Sequence, residues 1–159
     1  MYFTDYDSPL GEMLIAGDGE AIRRVCFYGQ KHFPSSDFIR NDDLTIFGQV
    51  REWLDDYFRG LNPEIDFKID PEGSEFQIRV WKMLREIPYG KTVTYGDIAR
   101  RISPEMSAQA VGGAVGRNPI AIIIPCHRVL GAKGRLTGYA AGIDKKMRLL
   151  DLENIRWEG

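Results

Sequence analysis

The run IPCHRV at residues 124–129 places a thiol, an imidazole and a guanidinium side by side, in a chain with two cysteines and two histidines. The thiolate is the nucleophilic form of cysteine, and a free thiol with a pKa of about 8.5 supplies little of it at neutral pH. A neighbouring base or cation raises that fraction. Cys126, His127 and Arg128, with Asn118 shortly upstream, therefore have the composition of a nucleophilic site. Adjacent side chains of an extended segment point to opposite faces, so His127 serves Cys126 only across a bend or through a bridging water. Pro125 fixes the backbone before the thiol and argues against helix there. Cys26, inside the apolar stretch RRVCFYG, reads as a small buried hydrophobe. Two cysteines and two histidines show neither a disulfide framework nor zinc-ligand spacing. Free thiols, no metal and no cofactor are expected.

The elements that must position this site divide into two groups. Residues 1–73 carry 7 basic and 15 acidic side chains, a net of −8, whereas residues 74–159 carry 14 and 8, a net of +6. The split predicts two domains, 1–73 and 74–159, the second facing a polyanion. In the first, MLIAG and IRRVCFYG read as a hairpin-like pair of strands and FKID as a third. Between them, residues 43–59 carry Ile46, Val50, Trp53, Leu54 and Tyr57 at helical spacing. In the second, Ser74 caps a helix over EFQIRVWKMLREI, and Thr94 caps a short helix near 95–101. A small-residue helix near 107–116 follows, ended by Asn118-Pro119. The segment RVLGAKGRLTGYAAG reads as loop plus a short hairpin, and a helix near 143–153 closes the chain. Two short helices joined by a tight turn resemble a helix-turn-helix. Mid-helix glycines cost about 1 kcal/mol each against alanine, so Gly112 and Gly113 call for a close neighbour. The opening MYFTDYDSPLG has no basic leader and no apolar core, and no apolar run is long enough to span a membrane. A cytoplasmic, monomeric protein without membrane contact is expected.

Taken in order, IPYGKTVTYGDIA, AVGGAVGRNP, IPCHRV and TGYAAG resemble the O6-alkylguanine-DNA alkyltransferase (methylated-DNA–protein-cysteine methyltransferase) family, and SPLGEMLIAGDGEAIRRVCF fits that family's N-terminal domain. The resemblance implies an α/β two-domain fold. A ribonuclease-H-like α/β domain precedes a mainly helical winged-helix/helix-turn-helix domain that binds alkylated double-stranded DNA. It implies that the damaged guanine is rotated out of the stack, since a thiolate cannot reach O6 inside the duplex, and that its alkyl group passes irreversibly to Cys126. By the same resemblance His127 acts as base through water and Glu153 orients it. Asn118 holds the turn before the active-site strand, and Tyr95 gives a proton to the leaving guanine. Val129, Tyr139, Ala140 and Arg128 fall at substrate-pocket positions. Tyr95, Ser107, Ala108, Gln109, Ala110, Gly112, Gly113 and Arg117 fall on the DNA surface. Two positions depart from the family pattern. Gln109 stands where an arginine often fills the gap left by the flipped base, and Ala140 replaces a serine.

Three other classes fit less well. A module that only flags alkylated guanine would lack the cysteine. A transcriptional regulator reads the major groove with polar recognition residues, whereas this helix offers mainly Ala and Gly. A cysteine hydrolase needs an oxyanion hole, and nothing in the sequence resembles one.

Overall fold

The computed structural model describes residues 1–159. The chain forms two compact units, one of Met1–Glu72 with Pro119–Ala121, the other of Gly73–Asn118 with Ile122–Gly159.

The first unit is built on a sheet. Strands β1 (Tyr2–Ser8), β2 (Gly11–Gly17) and β3 (Ala21–Phe27) form an antiparallel meander. Two-residue edge strands complete it, β4 (Ile39–Arg40) parallel to β1 and β5 (Lys68–Ile69) parallel to β3. The expected β2–β3 hairpin is present, and FKID contributes a strand of two residues. Strand β1 carried no apolar alternation because its inward positions are Thr4, Tyr6 and Ser8. Each of these buried hydroxyls has a partner. Thr4 Oγ1 donates to Asp42 at 2.7 Å, Tyr6 Oη to Asp55 at 2.6 Å, and Ser8 Oγ to the Gly11 carbonyl at 2.6 Å. Helix α1 (Thr45–Phe58) covers this face with Phe47, Val50 and Leu54. The opposite face holds Leu14, Ala16 and Cys26 under Phe3, Phe33 and Phe38, so Cys26 is the buried hydrophobe its sequence context implied. Pro119–Ala121 joins the same sheet: Val25 N–H donates to the Pro119 carbonyl at 3.0 Å, and Ala121 N–H to the Val25 carbonyl at 2.7 Å.

The second unit is mainly helical, with α2 (Glu75–Arg85), α3 (Tyr95–Ile102), α4 (Ala108–Gly116) and α5 (Ile143–Leu152). Its starts are chemically marked. Ser74 with Gln77, and Thr94 with Asp97, form reciprocal capping boxes, and Ser107 accepts from Ala110 N–H. Trp81 of α2 is buried and donates its indole N–H to the Ala114 carbonyl of α4 at 2.9 Å. Strand β6 (Val93–Thr94) pairs in parallel with β7 (Val129–Leu130). The expected hairpin after Arg128 is absent. Leu130 pairs backward with Thr94, and residues 132–134 form a kinked turn with Lys133 at φ 61°. The segment pairs with the C-terminal residues instead: Leu136 N–H donates to the Glu158 carbonyl at 2.6 Å, and Glu158 N–H to the Gly134 carbonyl at 2.8 Å. No helix is long and apolar enough to cross a membrane.

Register in the meander shifts between Ala16 and Gly17. A Cβ on Gly17 would lie 2.3 Å from the Ala21 carbonyl oxygen, a backbone atom that cannot turn aside. Gly17→Ala is expected to lower stability by about 1–3 kcal/mol, read as a lower urea midpoint at unchanged slope.

Candidate active site

Pro125 precedes one 3-10 turn, Cys126–Arg128, so the segment is neither extended nor α-helical. Within this turn the His127 ring is directed to Glu153. The turn places three side chains in separate environments.

His127 is fully buried, and its Nε2 lies 2.6 Å from Glu153 Oε2. Burial lowers the imidazole pKa, and the Glu153 carboxylate offsets that only in part, so the ring is neutral at neutral pH. A neutral ring that donates Nε2–H to a carboxylate has Nδ1 as its acceptor nitrogen. Glu153 is the C-cap of α5 and is itself buried. Its other contacts come from Arg128, whose Nε donates to Oε1 at 2.8 Å and Nη2 to Oε2 at 3.2 Å, and from Gly90 N–H, which donates to Oε1 at 2.9 Å. Arg128 also donates to the Ile87 carbonyl at 2.8 Å and lies over the Tyr89 ring. The structure therefore corrects its expected place on the substrate pocket. Its guanidinium is directed into the protein, where it neutralises the carboxylate that holds His127.

Cys126 is 8% exposed. Burial raises the thiol pKa. Hydrogen bonds from Asn118 and Tyr139 and the charge of Lys146 act in the opposite direction without overcoming it, so the resting group is a thiol. Asn118 also donates Nδ2–H to the Ile124 carbonyl at 2.8 Å, closing the loop that leads from α4 to the thiol. The Tyr139 hydroxyl is buried with no nitrogen or oxygen partner, and it faces the sulfur. Burial, and the charge that Cys126 carries when ionised, raise its pKa well above the usual value. Val129 is wholly buried in β7, and Ala140 is half-buried one residue past Tyr139. Tyr95 opens α3, half-buried, with its hydroxyl 3.0 Å from Thr137 Oγ1; burial, aided by the charge of ionised Cys126, raises its pKa.

On α4, Val111, Ala114 and Val115 face the core, while Ser107, Ala108, Gln109, Ala110, Gly113 and Arg117 are exposed and Gly112 is half-buried. A Cβ on Gly112 would make ordinary contact with the Tyr95 ring at 3.8 Å, and one on Gly113 would meet nothing within 4 Å. The protein's own packing does not require these glycines.

Two residues escaped the sequence reading. Lys146, the second of a Lys-Lys pair near the start of α5, is fully buried and donates to the Val129 carbonyl at 2.8 Å and to Thr137 Oγ1 at 3.0 Å. Thr137 joins Lys146 to Tyr95. A helical register that put Lys146 with Leu149 and Leu150 on one face was the available signal. No group of three or more His, Cys, Asp or Glu side chains is placed to share a metal ion.

Removing the Glu153 carboxylate strands the buried Arg128 guanidinium. Glu153→Ala is expected to lower stability by about 3–5 kcal/mol, measured by chemical denaturation. Loss of less than about 1 kcal/mol would mean that the pair is no more than a surface-type ion pair.

Residues 1–71 match the 6-O-methylguanine DNA methyltransferase ribonuclease-like domain, and residues 75–155 match the 6-O-methylguanine DNA methyltransferase DNA-binding domain. A methylated-DNA–protein-cysteine methyltransferase of Methanosarcina acetivorans is 48% identical over 155 residues, covering 96% of this chain and 98% of the relative. Its counterpart in Haemophilus influenzae is 44% identical over 156 residues, 98% of this chain and 87% of that one. The crystal structure of Mycobacterium tuberculosis OGT in complex with DNA superposes with a TM-score of 0.89 at 43% identity, covering 96% of this chain and 92% of that one. Through both domain matches and these near full-length likenesses, the chain belongs to the 6-O-methylguanine DNA methyltransferase family.

Proposed function

We propose that this chain repairs DNA by direct reversal, moving the alkyl group of O6-alkylguanine irreversibly to Cys126. The observation that carries the reading is the setting of that thiol. It is buried beside the Tyr139 hydroxyl and Asn118, next to a neutral His127 locked on Glu153. In the step, the sulfur attacks the alkyl carbon, a Sγ–C bond forms, the C–O6 bond breaks and the electron pair stays on guanine. Asn118 and Tyr139 hold the sulfur, and His127, oriented by Glu153, takes the thiol proton through water. Arg128 is a positioning residue that holds the Glu153 carboxylate in the interior. Val129, Tyr139 and Ala140 line the space for the base. A thioether is a poor leaving group, so one chain serves one lesion.

The DNA surface in this reading is the exposed side of α4, with α3 and α4 as the helix-turn-helix of a winged-helix domain spanning 74–159, preceded in the chain by a ribonuclease-H-like domain spanning 1–73. Alkylated duplex DNA is the partner, bound by a monomer. The support is the glycines that no internal contact demands. Without side chains at Gly112 and Gly113, a duplex backbone can approach the helix closely. Tyr95 lies against Gly112, and its hydroxyl senses the charge of Cys126 when ionised. Entry of a base to a buried sulfur requires extrusion from the stack. Gln109, exposed in the first turn of α4, would fill the vacated position without adding charge.

Intact-mass measurement after incubation with an O6-methylguanine duplex should show one methyl per chain, mapped to Cys126, and Cys126→Ala should bind the duplex without gaining mass. A duplex bound by the unaltered chain with no mass shift would reduce the protein to a lesion-flagging module. Gly113→Ala is expected to raise stability by about 1 kcal/mol, whereas Gly113→Leu should weaken duplex binding; equal affinity for the Leu variant would remove α4 from the interface.

A further inference from the structure

Past Glu153, the C-cap of α5, the chain turns sharply. Asn154 N–H donates to the Asp151 carbonyl at 3.0 Å, and Ile155 N–H to the Leu150 carbonyl at 2.9 Å. These are the two bonds of a Schellman motif, which needs a left-handed residue just after the cap. Asn154 supplies it at φ 58°, a conformation that asparagine tolerates better than other residues with a side chain. Exposure then alternates, with Ile155 and Trp157 half-buried and Arg156 and Glu158 exposed, the pattern of an extended segment lying on a surface. The segment ends on residues 134–136. Glu158 N–H donates to the Gly134 carbonyl at 2.8 Å, and the Glu158 carbonyl accepts from Leu136 N–H at 2.6 Å. Between those two groups the Arg135 carbonyl faces the other way and accepts from Gly131 N–H at 2.8 Å. Lys146 holds the next residues, through Thr137 Oγ1 and, at 3.4 Å, the Gly138 carbonyl. Tyr139 follows, its hydroxyl facing the Cys126 sulfur.

We propose that residues 154–158 are a strap whose two backbone bonds at Glu158 position the loop that carries Tyr139. The strap's role in the reaction rests on the alkyl transfer assigned above. One short run, 153–158, then sets two groups of the site: Glu153 fixes the His127 ring at its start, and Glu158 fixes the tyrosine loop at its end. The loop needs an outside hold. Gly131, Gly134 and Gly138 give its backbone little stiffness of its own, and Lys133 and Gly134 both have positive φ, 61° and 77°. Tyr139 acts on the sulfur through its hydroxyl, at the far end of a long side chain, so a small rotation of the loop moves that oxygen out of reach. A misplacement of about 1 Å in a reacting group costs on the order of a hundredfold in rate. Glu158 is therefore a positioning residue, and it acts through its N–H and C=O. Its side chain is exposed and takes no part.

Single-turnover methyl transfer from a trace O6-methylguanine duplex, followed over a range of protein concentrations, separates binding from transfer. Glu158→Pro removes the N–H that Gly134 accepts. It should lower the limiting rate by about tenfold or more, while the half-saturating protein concentration and the affinity for an unmodified duplex stay within about twofold. Glu158→Ala keeps both backbone groups and should transfer at the unaltered rate. Deletion of residues 156–159 should match the Pro variant. Amide hydrogen exchange reads the strap without any transfer: Leu136 N–H should be protected in the unaltered chain and exchange faster in Glu158→Pro, with the amides of α2 unchanged. A limiting rate that holds in Glu158→Pro, or falls equally in Glu158→Ala, overturns the strap. So does a loss of duplex affinity that accounts for the whole effect. No transfer by the unaltered chain overturns the functional assignment, and the Leu136 exchange then still decides whether the strap holds the loop.

Discussion

The second unit depends on one buried carboxylate. Glu153 receives a guanidinium from Arg128, an imidazole from His127 and a backbone N–H from Gly90. These partners come from the active-site turn and from the loop before β6, while Glu153 itself closes α5. Taking a carboxylate out of water costs several kcal/mol unless its oxygens are matched, and here both oxygens are engaged. The consequence is geometric. None of the three segments shifts without exposing an unmatched charge, so the turn that carries Cys126 is held in register with the helix that ends in Glu153. Arg128 supplies the cation so that His127 need not, and the imidazole stays neutral in the interior.

Legibility in the sequence followed the kind of signal each element carries. Helices α1 to α4 were readable because residue spacing and, in α2 to α4, Ser and Thr caps are local properties. Strand β1 was not, because Thr4, Tyr6 and Ser8 face inward and their partners Asp42 and Asp55 lie far along the chain. Leu130 pairs with Thr94, and Pro119–Ala121 with the strand around Val25; both are long-range pairings that no local pattern announces. In the site, Cys126 and His127 stood out by rarity and order. Arg128 was misplaced because an arginine next to a nucleophile reads as a ligand for substrate, and its carboxylate partner is 25 residues away. Lys146 was missed because consecutive lysines on an amphipathic helix read as solvated surface, while only the three acceptors around Nζ show otherwise.

Helix α4 shows a conflict between stability and use. Gly113 sits in mid-helix with open space around its missing Cβ, where alanine would favour folding. The buried side compensates: Val111, Ala114 and Val115 pack inward, and Trp81 ties its indole to the Ala114 carbonyl. The helix is thus anchored from beneath and left bare on top.

The burial of Cys126 bears on how long an unused molecule keeps its capacity to act. A reagent that works once must reach its target with its reactive atom intact. Oxidants attack the thiolate, and exposed thiols of low pKa are the first to be lost as sulfenic acid or mixed disulfide. A thiol that is 8% exposed, with its pKa raised by burial, escapes both routes while it waits. The burial that keeps the thiol protonated therefore also shields it from oxidation.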